Sequence, residues 1–377
     1  MTLTRGRTTV AAVGMAAVGV LAIAACGSDN TTSSTTTSAA GGTGSSAAST
    51  SGITCATGSL TASGSTAQTN AMSAWTAAYQ KACSGAEINY QAGGSGKGYT
   101  DFVAGTDDFA GSDYALSATQ APAADKRCGA GNTAIDLPMT PGAIAVGYNL
   151  PGITTLKLSA ATLGSIFSGK IKKWNDPTIV AENPGVTLPS TTISTFHRSD
   201  TSGTSFNFSN YLTHDASSTW TFGANKQWPA GAGGQGEKGS SVVAQSVKST
   251  TGGIGYFEDS YATQSGIPAA EIGDSGGNFI APSDAATTAF LSHATVTGTN
   301  GDLALTFDYT SASSTEYPNV LVTYEIVCSA GNKNAALLKG FLGYTAGTGQ
   351  SILTGAGYVP LPSNIQAQVQ AAVAKLS

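Results

Sequence analysis

HRSDTSGTSFNF, residues 197–208, places an arginine, an aspartate and a run of hydroxyls around Gly203, and an apolar helical pattern follows at once. A helix start exposes unpaired backbone N–H groups and a partial positive charge. Gly203 lets a ligand approach that backbone closely, and Ser202 and Thr204 add donors of their own. Arg198 supplies a planar, permanently charged pair of donors that suits an oxyanion. The stretch has the donors an anion site needs, in a pattern that an ordinary helix cap shares.

Two similar loops lie upstream, Gly64-Ser65-Thr66 and Gly94-Ser95-Gly96, each ahead of a candidate helix. Any one of them is an ordinary helix cap. Three of them, with Arg198 and Asp113 in the same chain, form a constellation. The surrounding pattern alternates strand-like and helix-like stretches, as α/β proteins do. GSLTASGST (58–66) is a strand running into a turn, and the next helix carries Ala71, Trp75, Ala78 and Tyr79 on one face. AEINYQA (86–92) is a second strand, ending in GGSGKG (93–98). PGAIAVGYNL (141–150) reads as a buried strand crossing into a second lobe, and NVLVTYEIV (319–327) as a strand returning to the first. A helix near 334–345 and a last helix, with Ser363 as its N-cap and Ile365, Val369, Ala372, Val373 and Leu376 inward, close the chain.

Composition narrows the classes. The chain has 377 residues, only 10% of them charged, and a net charge of −5. No basic stripe is present, so a nucleic-acid partner is not expected. An anion site here must work by local donors, because the bulk charge repels anions. Arg5, Arg7 and the apolar run Val10–Ala25 form an export signal that ends at Ile23-Ala24-Ala25-Cys26. That ending resembles the lipobox of bacterial lipoproteins, which implies a lipid-bearing Cys26 and an extracytoplasmic protein held to the cell membrane. Residues 27 to about 52 are mostly Ser, Thr, Ala and Gly, a flexible tether. Four cysteines remain: Cys55, Cys83, Cys128 and Cys328. In an exported chain they imply two disulfides with three possible connectivities; Cys55 and Cys83, flanking one strand–helix unit, are one candidate pair.

Catalytic motifs fail on inspection. GGSGKG has Gly98 where a Walker loop needs Ser or Thr, and it lacks the leading glycine. A nucleophile elbow would need glycine where Lys97 stands. His197, His214 and His293 are the three histidines, and none is an evident partner for a serine nucleophile. No cysteine–histidine cluster suggests a metal, and no cofactor is expected. A secreted phosphatase or serine hydrolase would need a nucleophile with a base or metal.

HRSDTSGTSFNFSNYL (197–212) resembles the R-x-D-x-S-G-T-S-F signature of the periplasmic phosphate-binding proteins of high-affinity phosphate ABC transporters. LTASGST (60–66), NYQAGGSGKG (89–98), DDFAGSDYALS (107–117), GKIKKWNDPTI (169–179) and GGIGYFEDSYA (252–262) resemble the family's other segments in the same order. The resemblance implies a two-lobed Venus-flytrap fold of the type II periplasmic-binding-protein class, hinged between the lobes. It also implies a monomer that binds inorganic phosphate and delivers it to permease subunits in the membrane. The expected organisation is a signal peptide at 1–25, lipidated Cys26 with its linker at 26–54, lobe I at 55–145 and 276–377, and lobe II at 146–275. The implied phosphate ligands are Thr66, the backbone N–H of Ala67, Ser95 and Asp113 from the first lobe. Arg198, Ser202, Gly203 and Thr204 come from the second, with Asp200 orienting Arg198. Ala67 stands where the family commonly has an aromatic residue, and Thr201 where glycine is frequent.

Asp113 is the informative member. An ionised carboxylate only accepts hydrogen bonds, so beside an anion it repels unless the ligand brings a proton. Phosphate at neutral pH carries one or two; sulfate carries none. Asp113 is thus expected to accept from phosphate and reject sulfate. Arsenate, similarly protonated, passes the same test. A protein of this fold used for sensing or adhesion would share every one of these residues.

Overall fold

In the computed structural model, which describes residues 52–273, 278–310 and 313–377, the chain begins with strand–helix alternation. Strand β1 (Gly58–Gly64), helix α1 (Thr69–Ala82), β2 (Ala86–Ala92), α2 (Ser95–Ala104), β3 (Phe109–Ser112) and α3 (Ala121–Cys128) lead to the long β4 (Ala134–Tyr148). Helix α1 buries Ala71, Met72, Trp75 and Tyr79, the one-sided spacing that a helix needs to seat on a sheet. The middle of the chain contributes β5 (Lys157–Leu158), α4 (Ala160–Phe167), α5 (Pro177–Glu182), β6 (Ser194–Arg198), α6 (Gly203–Asp215), β7 (Gln235–Glu237), α7 (Ser240–Ser249), β8 (Gly253–Glu258), α8 (Asp259–Ser265) and β9 (Glu271–Gly273). The last part adds β10 (Phe279–Ile280), α9 (Asp284–Leu291), β11 (Thr295–Val296), β12 (Leu305–Thr306), β13 (Val320–Cys328), α10 (Ala335–Ala346) and α11 (Ser363–Val373). The signal-like segment, Cys26 and the linker lie outside the described residues. The described residues form one compact unit, and no helix among them is long and apolar enough to cross a membrane.

An eight-stranded sheet in the order β2-β1-β3-β13-β4-β8-β6-β7 organises the described residues. Strand β4 joins its two halves. Residues 134–143 pair antiparallel with β13, and residues 144–148 pair antiparallel with β8. This strand starts at Ala134 rather than at Pro141, where the sequence reading begins it. Pro138 and Pro141 look like strand breakers because proline has no N–H for the ladder. A register shift opposite Thr323 and Tyr324 lets β4 carry them. Helix α11 also differs slightly: Pro362 holds the cap position, and Ser363 is the first helical residue with no capping bond.

Each half has its own core. Trp75, Tyr79, Phe109, Phe341 and Val369 centre one cluster; Trp174, Phe208, Trp220 and Tyr256 centre the other. Disulfides join Cys55 to Cys83 and Cys128 to Cys328. The second closes a loop of 200 residues, tying the end of α3 to the end of β13.

The sheet's direction places the site. β1, β2 and β3 run parallel, as do β6 and β8. In such sheets ligands collect beyond the carboxyl ends of the strands, where the following helices begin. Thr66 follows β1, Ser95 opens α2, Asp113 follows β3, Arg198 ends β6 and Gly203 opens α6.

Candidate functional site

The two sheet halves meet through these helix starts. Ser95 Oγ accepts from the backbone N–H groups of Asp113 and Gly203, each at 3.2 Å, and lies 3.2 Å from Asp113 Oδ2. The Gly96 N–H donates to the Thr201 carbonyl at 3.0 Å. On the other side, Thr66 Oγ1 shares a hydrogen bond with Ser240 Oγ at 3.1 Å and accepts from the Ser240 N–H at 3.2 Å. The first-half loops thus face the start of α6 at one point and the start of α7 at another.

Glycine is required at two of these approaches. Gly94 has φ 95°, and a Cβ there would collide with Asp200 Oδ2. At Gly203 a Cβ would collide with the Asp113 Cβ and sit 2.8 Å from Ser95 Oγ. Side chains at either position would push the halves apart.

Arg198 lies at the centre, only 1% exposed. Its Nε donates to Asp200 Oδ1 at 2.7 Å and its Nη2 to Asp200 Oδ2, a two-point pairing that fixes the guanidinium plane. Its Nη1 donates to Ser240 Oγ at 2.9 Å and to Thr204 Oγ1 at 3.2 Å. Burial opposes charge on both partners, but their mutual hydrogen bonds and attraction outweigh it. Asp200 is held below the usual carboxylate range, and Arg198 above the usual range for a guanidinium.

Asp113 is 3% exposed. Its Oδ1 accepts from the Thr323 hydroxyl at 2.7 Å, and its carbonyl accepts from Asn207 Nδ2 at 2.6 Å. Burial, and after it the charge of Glu258, pushes its carboxyl up to about 6; hydrogen bonds from Ser65 and Thr323 and the charge of Arg198 oppose that rise. The carboxyl remains mostly ionised at neutral pH, and it sits where protonation is within reach.

The other expected ligands occupy the same region with different immediate partners. Ser202 caps α6, its hydroxyl accepting from the Ser205 N–H at 3.1 Å. The Ala67 N–H donates to Ser65 Oγ at 2.9 Å inside its own loop, and the Ala67 side chain is fully buried. Thr201 packs over Gly96. His197 stacks on Trp228 at 5.0 Å and shares a hydrogen bond with the Arg198 carbonyl, a packing role rather than a base poised at a serine. His214 stacks on Tyr309, and His293 lies 3.1 Å from Glu316.

Two members escape the sequence reading. Ser240 opens α7 after Gly239, so EKGSS (237–241) has the same glycine–hydroxyl–helix pattern as the loops at Gly64, Gly94 and Gly203. That pattern could have found it. Glu258, at the end of β8, is 1% exposed and accepts from Thr204 Oγ1 at 2.7 Å. Nothing in GGIGYFEDSYA marks that glutamate as buried beside the arginine; only the fold does.

A cleft of about 430 Å³, lined by Thr66, Asn70, Gly93, Lys238, Gly239 and Tyr261, opens beside this cluster from both sheet halves. Among the described residues no group of His, Cys, Asp and Glu could hold a metal.

Residues 30–348 match the PBP superfamily domain. The chain is 39% identical over 369 residues to phosphate-binding protein PstS 3 of Mycobacterium tuberculosis, covering 96% of this chain and 97% of that one. It is equally identical, over 376 residues, to PstS 2 of the same organism, covering 97% and 98%. Among solved structures, a high-affinity periplasmic phosphate-binding protein (PfluDING) bound with phosphate aligns with TM-score 0.68 and 21% identity. That alignment covers 83% of this chain and 93% of that one, and it shows a shared fold. The chain belongs to the PBP superfamily and, within it, to the PstS phosphate-binding proteins.

Proposed function

We propose that this chain is an extracytoplasmic receptor that captures inorganic phosphate between two lobes and hands it to an ABC permease. The observation that carries the reading is the buried Arg198–Asp113 cluster, built from both halves of the sheet. A fully buried guanidinium already paired with Asp200 still turns Nη1 toward Ser240 and Thr204. Ser95, Gly203, Ser240 and Thr66 supply hydroxyl and N–H groups around it, at helix starts whose dipoles favour an anion. In a water-excluded site each unmade hydrogen bond costs about 1–3 kcal/mol, so a tetrahedral oxyanion that satisfies many donors at once is held selectively. We assign Thr66, Ala67, Ser95, Asp113, Arg198, Ser202, Gly203 and Thr204 to that ligand, with Asp200 as the residue that orients Arg198. The relatives are named as binding proteins, and we read this chain likewise as a carrier that catalyses nothing.

The export-like N-terminus and Cys26 support a lipid-anchored, extracytoplasmic position, and the tether would let a monomer reach the permease. Calorimetric titration of residues 50–377, stripped of ligand, tests the reading: phosphate should bind and sulfate should give no heat. Silence with both anions would mean that the fold is shared and the ligand is not. Closure rests on the same contacts. Gly203→Ala should weaken phosphate by about tenfold to a hundredfold, an effect of ~1–3 kcal/mol from overpacking, read in the same titration. Its thermal midpoint should change far less, because the strain falls on the approach of two lobes and not within either core.

A further inference from the structure

Beside the anion cluster, the two halves of the sheet are also joined by a cation to which nothing above gives a task. Lys226 stands on the connection between α6 and β7, and its side chain crosses to the first half. Its Nζ donates to Gln120 Oε1 at 2.8 Å and lies 3.6 Å from the centroid of the Tyr114 ring. Both partners belong to the segment that follows β3: Tyr114 is the residue after Asp113, and Gln120 leads into α3. The Ser117 hydroxyl donates to the same Gln120 oxygen at 2.9 Å and fixes it. Phe206 of α6 makes an edge contact with Tyr114, ring centroids 5.8 Å apart, and fixes the ring.

The backbone of the same residue belongs to the anion site. The Lys226 carbonyl accepts from the Ser202 N–H at 2.9 Å, one position before Gly203 opens α6. Lys226 thus connects one residue assigned to the ligand, Ser202, to the chain neighbour of another, Asp113. The ammonium is partly withdrawn from water, in the wall of a cavity of about 430 Å³ that Asp113 and Tyr114 also line. Burial, opposed by the charge of Asp136, lowers it to about 8, so it stays mostly charged at pH 7.

We propose that Lys226 is a positioning residue that latches the closed receptor: it clasps Tyr114 and Gln120 when the halves meet over phosphate, and so slows phosphate release. This rests on the phosphate-receptor reading above. A cation over an aromatic face gains more when it is partly desolvated than when it is exposed. Opening the halves parts Lys226 from both partners at once, so release must break the clasp. Capture begins with the halves apart, before the clasp exists. The contact therefore acts on dissociation and leaves association nearly untouched.

The test follows radiolabelled phosphate at pH 7 on the full chain, stripped of ligand beforehand. Release is timed after a chase with excess unlabelled phosphate, and Kd is taken from equilibrium dialysis. Lys226→Met keeps the stem and removes the charge. It should speed release about tenfold, the scale of a partly desolvated cation–aromatic contact. Kd should rise by the same factor, so that the association rate stays within about twofold of wild type. Lys226→Arg keeps a cation that stacks and donates, and should restore slow release. Tyr114→Leu removes the other side of the clasp and should speed release too, which keeps the test decisive should the Met variant not fold. Combined with Lys226→Met it should add little, because both remove one contact. Release unchanged in Lys226→Met and in Tyr114→Leu overturns the latch, as does an arginine variant that releases as fast as the methionine one. A loss of affinity carried by association alone also overturns it. A wild-type chain that binds no phosphate overturns the receptor reading, and the latch with it.

Discussion

Asp113→Asn should weaken phosphate by about tenfold to a hundredfold and let sulfate bind. An ionised acceptor is replaced by a neutral amide, and hydrogen bonds to charged groups are worth about 1.5–3 kcal/mol. The amide also brings two donors to a position where the carboxylate has none. A fully deprotonated anion then meets a partner instead of a repulsion. The oxygen that accepts from the Thr323 hydroxyl is retained, so the local scaffold has no reason to move. Calorimetry with both anions at pH 7 is the check. Continued exclusion of sulfate by the Asn variant would show that discrimination lies elsewhere.

The same variant should fold more stably. Burial and the neighbouring Glu258 lift the Asp113 carboxyl from the ordinary 3.8 to about 6. In the native state it therefore holds a proton over a range where the unfolded chain has already lost one. This group costs stability increasingly as pH rises from about 4 to about 6, and the full cost persists above that. Two units correspond to roughly 3 kcal/mol at most. Urea unfolding without ligand should show Asp113→Asn ahead of wild type at pH 7, with the gap closing near pH 4. Wild type should also begin to accept sulfate below about pH 6, as Asp113 becomes a donor. Specificity is thus bought with stability at this one residue.

How much of this was legible beforehand differs from residue to residue. Arg198 and Gly203 could be read because their chemistry is local, a charged fork of donors and a glycine opening a helix, whereas the place of Asp200 against Arg198 came with the family resemblance. The core faces of α1 and α11 followed from spacing. Strand β4 was half hidden, since its two prolines argue against a central strand and the register shift that admits them, with Met139 as the extra residue opposite the Thr323–Tyr324 step, shows only once β4 is paired with β13. Glu258 was hidden altogether. A glutamate at the end of a strand and the start of a helix is ordinarily a solvated or capping residue, and its burial beside Arg198 arises only when β8 is laid against β6. Ser240 lies between these cases: its motif was visible, but its meeting with Thr66, 174 positions away, was not.

Arg198→Met should abolish phosphate binding and destabilise the fold by about 3–5 kcal/mol at pH 7, the usual effect of removing one partner from a buried pair. The losses have different origins. Binding loses its charged donor outright. Stability falls because the half-buried Asp200 and the buried Glu258 are left without the Arg198 cation, and Asp113 loses one of the influences that oppose the rise of its carboxyl. In wild type, Asp200 is depressed below its ordinary range, so it adds stability at neutral pH that is lost only as pH falls through that low value. Without Arg198 only the backbone N–H groups of Gly239 and of Asp200 itself still oppose burial, so the Asp200 carboxyl should rise and protonation should become a relief. The stability gap between Arg198→Met and wild type should therefore be widest at pH 7 and narrow progressively towards pH 5 in urea unfolding. A gap that is constant with pH would mean that packing around the lost side chain, and not the stranded carboxylates, sets the cost. Arg198→Lys separates the two roles. A lysine restores one positive charge but cannot span both Asp200 oxygens while also reaching Ser240 and Thr204. It should recover much of the stability and little of the phosphate affinity, because neutralising the acids needs only a charge, whereas holding the anion needs the fork.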